Sequence, residues 1–410
     1  MKNRRILVSG GGVAGTALAY WLHRYGFQPT VVERAPGPRE GGYKIDLRGA
    51  AVDVAEKMGI LPDVKRASIV MVGGSWVNDA GVRVATLRAD FLEARDDQSI
   101  ELMRGHLNRI LHEATQGDVE RLFSDSIVQI RDDGDGFTVS FERGAPRSFD
   151  LVVGADGVHS NVRALLFGEE SRFVHDLGGY HVATFTVPNR WNLDRWDLFY
   201  MLPGKTLNVS SVSGGGKATA VFVFTAPNLT YDRRDVAQTK RVVAEQFAKL
   251  AWEVPWLLDA MDGADDFFFD TVDQIRVDRW SNGRAVLIGN AGYAPSLASG
   301  QGTSLAMVGA YVLAGELKAT GGDHAIAFQR YEERMRGFVE KNQKLGQDAI
   351  KTMVLRRPWQ IWLLLLILRL IPYMPWKGLL SQRMKTVVHR VATAIDLRDY
   401  GNDAPPSLSG

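Results

Sequence analysis

The chain contains no cysteine, and that absence removes disulfides, thiolate metal sites, cysteine nucleophiles and any covalent cofactor link through sulfur. An excess of either charge is also missing: 49 lysines and arginines against 47 aspartates and glutamates leave a formal net charge of +2. That balance gives no basic field of the kind nucleic acid requires, so no nucleic-acid partner is expected. No apolar run is long. The basic start Met1-Lys2-Asn3-Arg4-Arg5 is followed only by Ile6-Leu7-Val8 before glycines begin, too short for a secretory core segment, and a cytoplasmic location is expected. Residues 359–372 are strongly apolar but include Gln360 and Arg369 and stop at Pro372, short of the roughly twenty residues that span a bilayer. Two readings of this stretch stay open. It is a helix packed on the body or on another subunit, or a surface helix meeting a membrane, for which Trp359, Trp362, Arg356 and Arg357 are suited.

What is present is an ordinary globular composition, 45% hydrophobic and 23% charged over 410 residues, long enough for two domains. The first organised feature is Gly10-Gly11-Gly12-Val13-Ala14-Gly15, set between Ile6-Leu7-Val8 and a helical stretch from Thr16 to Tyr25. Strand, tight turn and helix come in the order that a dinucleotide pyrophosphate requires. Gly10 permits the turn, Gly12 lets phosphates approach the backbone, and Gly15 lets the helix pack on the strand. The helix start, with Val13 and Ala14, adds free amides and a partial positive charge. A second strand, Pro29-Thr30-Val31-Val32, then leads to Glu33 and Arg34. Glu33 falls eighteen residues past Gly15, where a carboxylate accepts hydrogen bonds from an adenosine ribose. The fingerprint fits NAD and FAD equally.

Further along, Ile69 to Leu92 reads as a β excursion and Leu102 to Leu111 as a helix. The run Asp132-Asp133-Gly134-Asp135-Gly136 lacks the full spacing of a calcium loop and sits between two strands, so it reads as a hairpin turn, and no metal site is expected. Leu151-Val152-Val153 feeds Gly154-Ala155-Asp156-Gly157, another strand-to-loop junction. From about 180 to 270 the pattern is mainly β, with helical periodicity between Val236 and Leu250. Ala285-Val286-Leu287-Ile288 then opens a second glycine segment, Gly289-Asn290-Ala291-Gly292-Tyr293-Ala294-Pro295, followed by Gly300-Gln301-Gly302 and a small-residue helix. The expected fold is α/β. A discontinuous Rossmann-like domain (1–70, 97–175 and 271–335) carries an inserted, mostly antiparallel sheet domain (71–96 and 176–270), C-terminal helices (336–400) and a tail (401–410).

Gly10 to Gly15, Gly154-Ala155-Asp156-Gly157 and the Gly289 to Gly302 segment, in that order, resemble the single-component FAD-dependent aromatic hydroxylases with the para-hydroxybenzoate hydroxylase fold. The resemblance covers roughly residues 1 to 340. Chain length and the Gly41-Gly42 to Gly49 stretch are more similar to tetracycline-inactivating and antibiotic-pathway monooxygenases. It implies that Gly10, Gly12, Gly15 and Glu33 hold the ADP half of FAD, that Arg104 reaches the pyrophosphate or ribityl region, and that Asp156 serves FAD and nicotinamide binding. It also implies that Pro295 and the amides around Gly300, Gln301 and Gly302 face the isoalloxazine. Two departures stand out. Asn290 occupies the position of the family's aspartate and can accept a ribityl hydrogen bond only through a neutral amide, and Gly292-Tyr293 replaces an Ala-His pair.

The resemblance implies NADH or NADPH as co-substrate, O2, a flavin C4a-hydroperoxide and transfer of one oxygen to a hydrophobic aromatic or polyketide-like molecule. His181, Tyr200 and Arg195 are the side chains in the expected substrate sheet that could act on a phenol, although a lone His or Tyr in a sheet is also an ordinary core residue. Phe185, Phe199, Met201, Phe222 and Phe224 could line an apolar pocket or simply form the sheet's core face. Epoxidation, Baeyer-Villiger oxidation, a cyclisation on structural FAD and simple drug binding stay open, as does the oligomeric state.

Overall fold

The computed structural model describes residues 2–38, 41–89, 99–212, 215–375 and 377–401, with 377–381, 383 and 384 described by backbone alone. Residues 90–96 of the expected insertion and 402–410 of the expected tail lie outside the described residues.

The strands Arg5–Ser9, Gln28–Glu33, Glu120–Phe123, Leu151–Gly154 and Ala285–Leu287 form a parallel sheet, with Arg5–Ser9 between Leu151–Gly154 and Gln28–Glu33. Ile6, Leu7, Val8, Val152, Val153 and Val286 are inaccessible to solvent, as expected of strands covered on both faces. The helices Val13–Arg24 and Gly302–Ala319 pack together on this sheet, where the Trp21 ring lies 4.9 Å from Tyr311. The second helix also packs closely on the glycine segment that precedes it. A Cβ on Gly309 would lie 2.3 Å from the Tyr293 hydroxyl. The acidic glycine run forms the turn between Ile127–Asp132 and Phe137–Phe141, where the Gly134 amide donates to Asp132 and the Thr138 hydroxyl to Asp133.

A seven-stranded sheet makes the second body, ordered Phe268–Thr271, Tyr180–Pro188, Lys217–Thr225, Lys205–Ser211, Trp196–Leu202, Gly73–Val77, Arg83–Arg88. All its pairings are antiparallel except that of Trp196–Leu202 with Gly73–Val77. The helices Val236–Phe247 and Val254–Asp262 cover one face, burying Phe185, Phe222, Phe224 and Phe247. The other face turns toward the parallel sheet: Tyr180, Val182 and Val223 pack there with Ala298 and with Ile350 of the C-terminal helices.

The chain has no break at 335. His324–Met353 is one helix of 30 residues. Its first half, with Phe328, Tyr331 and Met335, is part of the core around the parallel sheet, while Ile350 reaches the seven-stranded sheet. Pro358–Leu370 and Lys377–Ala392 follow, and the chain then returns to the first body. There the Tyr400 hydroxyl donates to Glu316 at 2.7 Å and that of Tyr311 to the Arg398 carbonyl at 2.8 Å.

Candidate functional site

Residue Gly10 leaves the first strand at φ +106°, and a Cβ there would lie 2.6 Å from the Ala155 carbonyl oxygen. A Cβ on Gly15 would lie 1.9 Å from the Gly10 oxygen, whereas one on Gly12 would meet nothing. Two glycines therefore close the turn and the third leaves room above it. The helix starting at Val13 and Ala14 has no side-chain cap and no acid in its first turn, so its amides are available to an anion. Glu33 stands beside this turn. Its carboxylate accepts the Gly11 amide at 2.7 Å and the Ala35 amide at 2.8 Å, which leaves lone pairs for ribose hydroxyls. Arg34 is exposed next to it.

The Asp156 carboxylate accepts Ser9 Oγ at 3.2 Å, the Asn161 and Val162 amides at 2.9 and 3.1 Å, and the Ser160 hydroxyl. It thus ties the loop to the first strand and to the start of the Asn161–Leu166 helix. Burial pushes its pKa up, against these hydrogen bonds, which favour the anion. Arg163, to which no motif in the sequence gives a role, is 1% exposed and donates to the Ala291 carbonyl at 2.8 Å and the Val158 carbonyl at 2.6 Å. This one guanidinium joins the Asp156 loop to the second glycine segment. The available signal was its regular place on the helix begun by Ser160, which caps the Arg163 amide at 3.0 Å.

Gly289, at φ +62°, lies against both helices: a Cβ there would be 3.0 Å from Ala14 Cβ and 3.7 Å from Ala306 Cβ. Asn290 follows, exposed, and its Oδ1 would lie 3.5 Å from a Cβ on Gly302. Tyr293 points the other way, into the core, 4.5 Å from Trp280 and hydrogen-bonded to Tyr331 at 2.8 Å. Pro295 is buried, and its carbonyl accepts Gln274 Nε2 at 3.1 Å. Gly300 adopts a left-handed φ of +63°. Gln301 is fully buried, and neither atom of its amide has a partner among the described residues. The helix from Gly302 also begins without a side-chain cap or an acid in its first turn. Two uncapped helix starts, an open glycine turn and an orphaned buried amide fit a long dianionic dinucleotide.

Arg104 begins the helix Arg104–Glu113, half-buried, with its guanidinium 5.9 Å from the Tyr43 ring. The antiparallel pair of strands Lys44–Leu47 and Ile100–Met103 carries a set of charged residues to which no pattern in the sequence gives a role. Asp46 accepts Arg48 at 2.7 Å and lies 3.5 Å from the Cβ position of Gly300. Lys44 donates to both Asp197 oxygens, at 3.2 and 3.3 Å. Lys44, Asp46 and Arg48 alternate with buried Ile45 and Leu47, which was the visible sign of a strand with one polar face.

None of the three expected catalytic side chains reaches this region. His181 is 4% exposed and stacks 5.4 Å from Phe224 and 5.8 Å from Phe269, with Nδ1 donating to the Gly179 carbonyl at 3.1 Å. Burial lowers its pKa below the ordinary histidine value. Tyr200 donates to Asp79 at 2.7 Å and packs 5.5 Å from Trp252; burial and the Asp79 charge push its phenol well up. Both lie on the face covered by the helices, with Phe185, Phe222 and Phe224. Arg195 is exposed and pairs with Asp194 at 3.4 Å. For His181 and Tyr200 strand parity is the reason. The face that meets the Lys44–Leu47 strand carries Asp197, Phe199 and Met201, opposite Ser210, Asn208 and Thr206. Ser210 Oγ on that face is buried without a partner among the described residues.

A cavity of about 780 Å³ lined by Arg5, Gln28, Thr30, Glu120 and Arg147 opens beyond the starts of the parallel strands. Ligands of open α/β sheets bind at the other, carboxyl ends, where the glycine turns lie.

A parallel sheet with uncapped helix starts at its carboxyl edge, set beside a second, seven-stranded sheet, has the arrangement of a dinucleotide-binding protein. Comparison with known proteins gives the family: residues 4–344 match the FAD binding domain family, and the chain belongs to it. A flavin-dependent monooxygenase of Legionella longbeachae serogroup 1 (strain NSW150) is 39% identical over 345 residues, 84% of this chain and 88% of that protein. An uncharacterized protein of Mycobacterium tuberculosis (strain ATCC 25618 / H37Rv) is 46% identical over 352 residues, 85% of this chain and 94% of its own. The crystal structure of tetracycline destructase Tet(55) superposes with a TM-score of 0.84 at 35% identity, covering 98% of this chain and 100% of that one. The protein is a FAD-dependent monooxygenase. No helix among the described residues is long and apolar enough to cross a membrane.

Proposed function

We propose that the enzyme takes electrons from NADH or NADPH and inserts one atom of O2, as a hydroxyl, into a hydrophobic aromatic or polyketide-like small molecule. The observation that carries this reading is the site-facing side of the seven-stranded sheet. There half-buried Phe199 and Met201 lie beside Asp197, Asn208 and Ser210 on the same face, with Trp76, buried under the C-terminal helix, stacked behind Phe199 at 5.0 Å. An apolar surface with a polar border suits a fused-ring molecule bearing hydroxyl or keto groups. Whole-chain similarity to a tetracycline destructase supports the same substrate class.

Bound FAD supplies the electron storage and oxygen activation. The chain's residues bind and orient. The amides after Gly12 and Gln301 meet negative charge, Glu33 accepts from the ribose, and Asn290 accepts from the ribityl chain through its amide oxygen. The Lys44–Asp197 pair and Asn208 hold the polar edge of the substrate; Asn208 donates to the Leu198 carbonyl at 3.2 Å, which fixes its side chain. The side chains that could remove a phenolic proton are on the other side of the sheet, so we assign proton handling to the substrate's own acidity and to the Lys44–Asp197 pair.

Coenzyme oxidation and product mass, recorded together for the FAD-loaded protein with NADH and NADPH over phenols, anthraquinones, tetracyclines and polyenes, test the reading. A compound that speeds oxidation and gains one oxygen supports it. A compound isomerised or bound with no coenzyme consumed overturns it in favour of cyclisation or sequestration, the reading for which the neutral Asn290 speaks.

A further inference from the structure

The helix Pro358–Leu370 carries apolar residues on every side, with Gln360 near its start and Arg369 near its end as its only polar ones, a pattern close to that of a helix covered all round. The structure covers only one side. Leu364, Leu365 and Leu368 pack on Trp76, Ala85 and Leu87 of the seven-stranded sheet. The opposite side carries Trp359, Trp362, Leu363, Leu366, Ile367 and Leu370, every one exposed, with Trp362 at 66%. Their spacing of three and four places them in one stripe, and Tyr373, 84% exposed, extends it. A contiguous apolar stripe of this size is not left in water without a partner.

Charge says what the partner is. Between Ala349 and Ile395 there are eight lysines and arginines and no aspartate or glutamate, whereas the whole chain carries only +2, so the remainder is net acidic. A second copy of the chain set symmetrically on this stripe would bring like charges together. An anionic lipid surface would attract them. At 13 residues the helix is about 20 Å long and cannot cross the roughly 30 Å apolar core, yet it can lie in the interface. Trp359, Trp362 and Tyr373 are of the type that settles at headgroup depth, and exposed Arg357 and Arg369 flank them.

We propose that the enzyme docks on anionic bilayers through the outer face of the Pro358–Leu370 helix. The same helix touches Phe199 and Met201 on its inner side, so docking brings the site-facing sheet surface to within one helix diameter of the lipid.

The test is co-sedimentation of the full, FAD-loaded protein with vesicles of phosphatidylcholine alone or of equimolar phosphatidylcholine and phosphatidylglycerol, at low and high salt. Binding only to the anionic vesicles, released by salt and weakened about tenfold in Trp359→Ser/Trp362→Ser, is expected. Both positions are exposed, and retained FAD absorbance and an unchanged melting temperature verify the fold of the variant. Three results overturn the proposal: protein that stays in the supernatant with both vesicles, binding that the double variant leaves unchanged, and a concentration-dependent dimer that the double variant dissolves while vesicles bind neither form. The last assigns the face to a homotypic interface.

Discussion

Asn290 stands where the resemblance to the aromatic hydroxylases expects an aspartate. It begins the short helix Asn290–Tyr293 and is exposed to the space beside Gly302. A carboxylate there would gain from the helix start and would accept a charge-assisted hydrogen bond, stronger than the neutral one. Asn290→Asp is therefore expected to tighten FAD binding about three- to tenfold, read by quenching of flavin fluorescence on titration. Unchanged affinity would mean that residue 290 does not contact the cofactor. His181 gives the complementary case. Held between Phe224 and Phe269, it acts as a flat apolar ring with one backbone hydrogen bond. His181→Phe should leave kcat and KM of the oxygenation unchanged and shift stability by about 1 kcal/mol or less. A large fall in kcat with intact folding would restore it to the catalytic machinery. The histidine was visible in the sequence as a candidate base; the face of the sheet it occupies was not, because alternation fixes which residues are together and not which set meets the cofactor.

At the scale of elements, the glycine turns were legible because each demands glycine for a local steric reason that sequence order preserves: Gly10 and Gly15 would clash with backbone atoms of the turn itself or of the Asp156 loop. Arg163 to Ala291 and Lys44 to Asp197 were not legible, since they join residues 128 and 153 apart with no pattern linking the partners. The return of the C-terminal segment belongs with these. Residues after Ala392 read as the end of a helical region, yet Tyr400 lies over Gly315, where a Cβ would sit 2.2 Å from its ring, and hydrogen-bonds Glu316, itself 1% exposed. The strap locks the far end of the small-residue helix that starts at Gly302. Tyr400→Phe keeps the ring and removes the donor from a buried carboxylate, with an expected loss of about 1–3 kcal/mol by urea denaturation. If Tyr400→Phe is neutral, the strap is held by packing alone.

For the whole molecule, the question is what keeps the seven-stranded sheet in register with the FAD-binding body. Lys44–Asp197 is one polar link, and a cluster around His159 is another. His159, in the loop after Asp156, contacts Glu170 at 2.5 Å on its own body and Asp270 at 3.0 Å on the seven-stranded sheet, while Arg233 of the sheet domain reaches Glu170 at 3.2 Å. Burial would lower the imidazole pKa, but hydrogen bonds to Asp270 and Glu170 outweigh it and raise the value from 6.5 to about 9. Glu170, hydrogen-bonded to His159, falls from 4.5 to about 2. A raised histidine contributes stability that is complete below its unfolded pKa and disappears as pH climbs through its folded one; a depressed carboxylate does the reverse on the acid side. The cluster is thus fully stabilising between about pH 4.5 and 6.5 and weakens from pH 6.5 to 9. With screening of these partly exposed groups, the loss across that upper window is about 1–2 kcal/mol. Urea midpoints measured over the window should fall in the native chain and stay flatter in His159→Gln, which has no proton to lose. Parallel slopes in the two proteins would mean that the bodies are held by the Lys44–Asp197 link and the apolar contacts around Ala298, and that the His159 cluster follows their alignment without enforcing it.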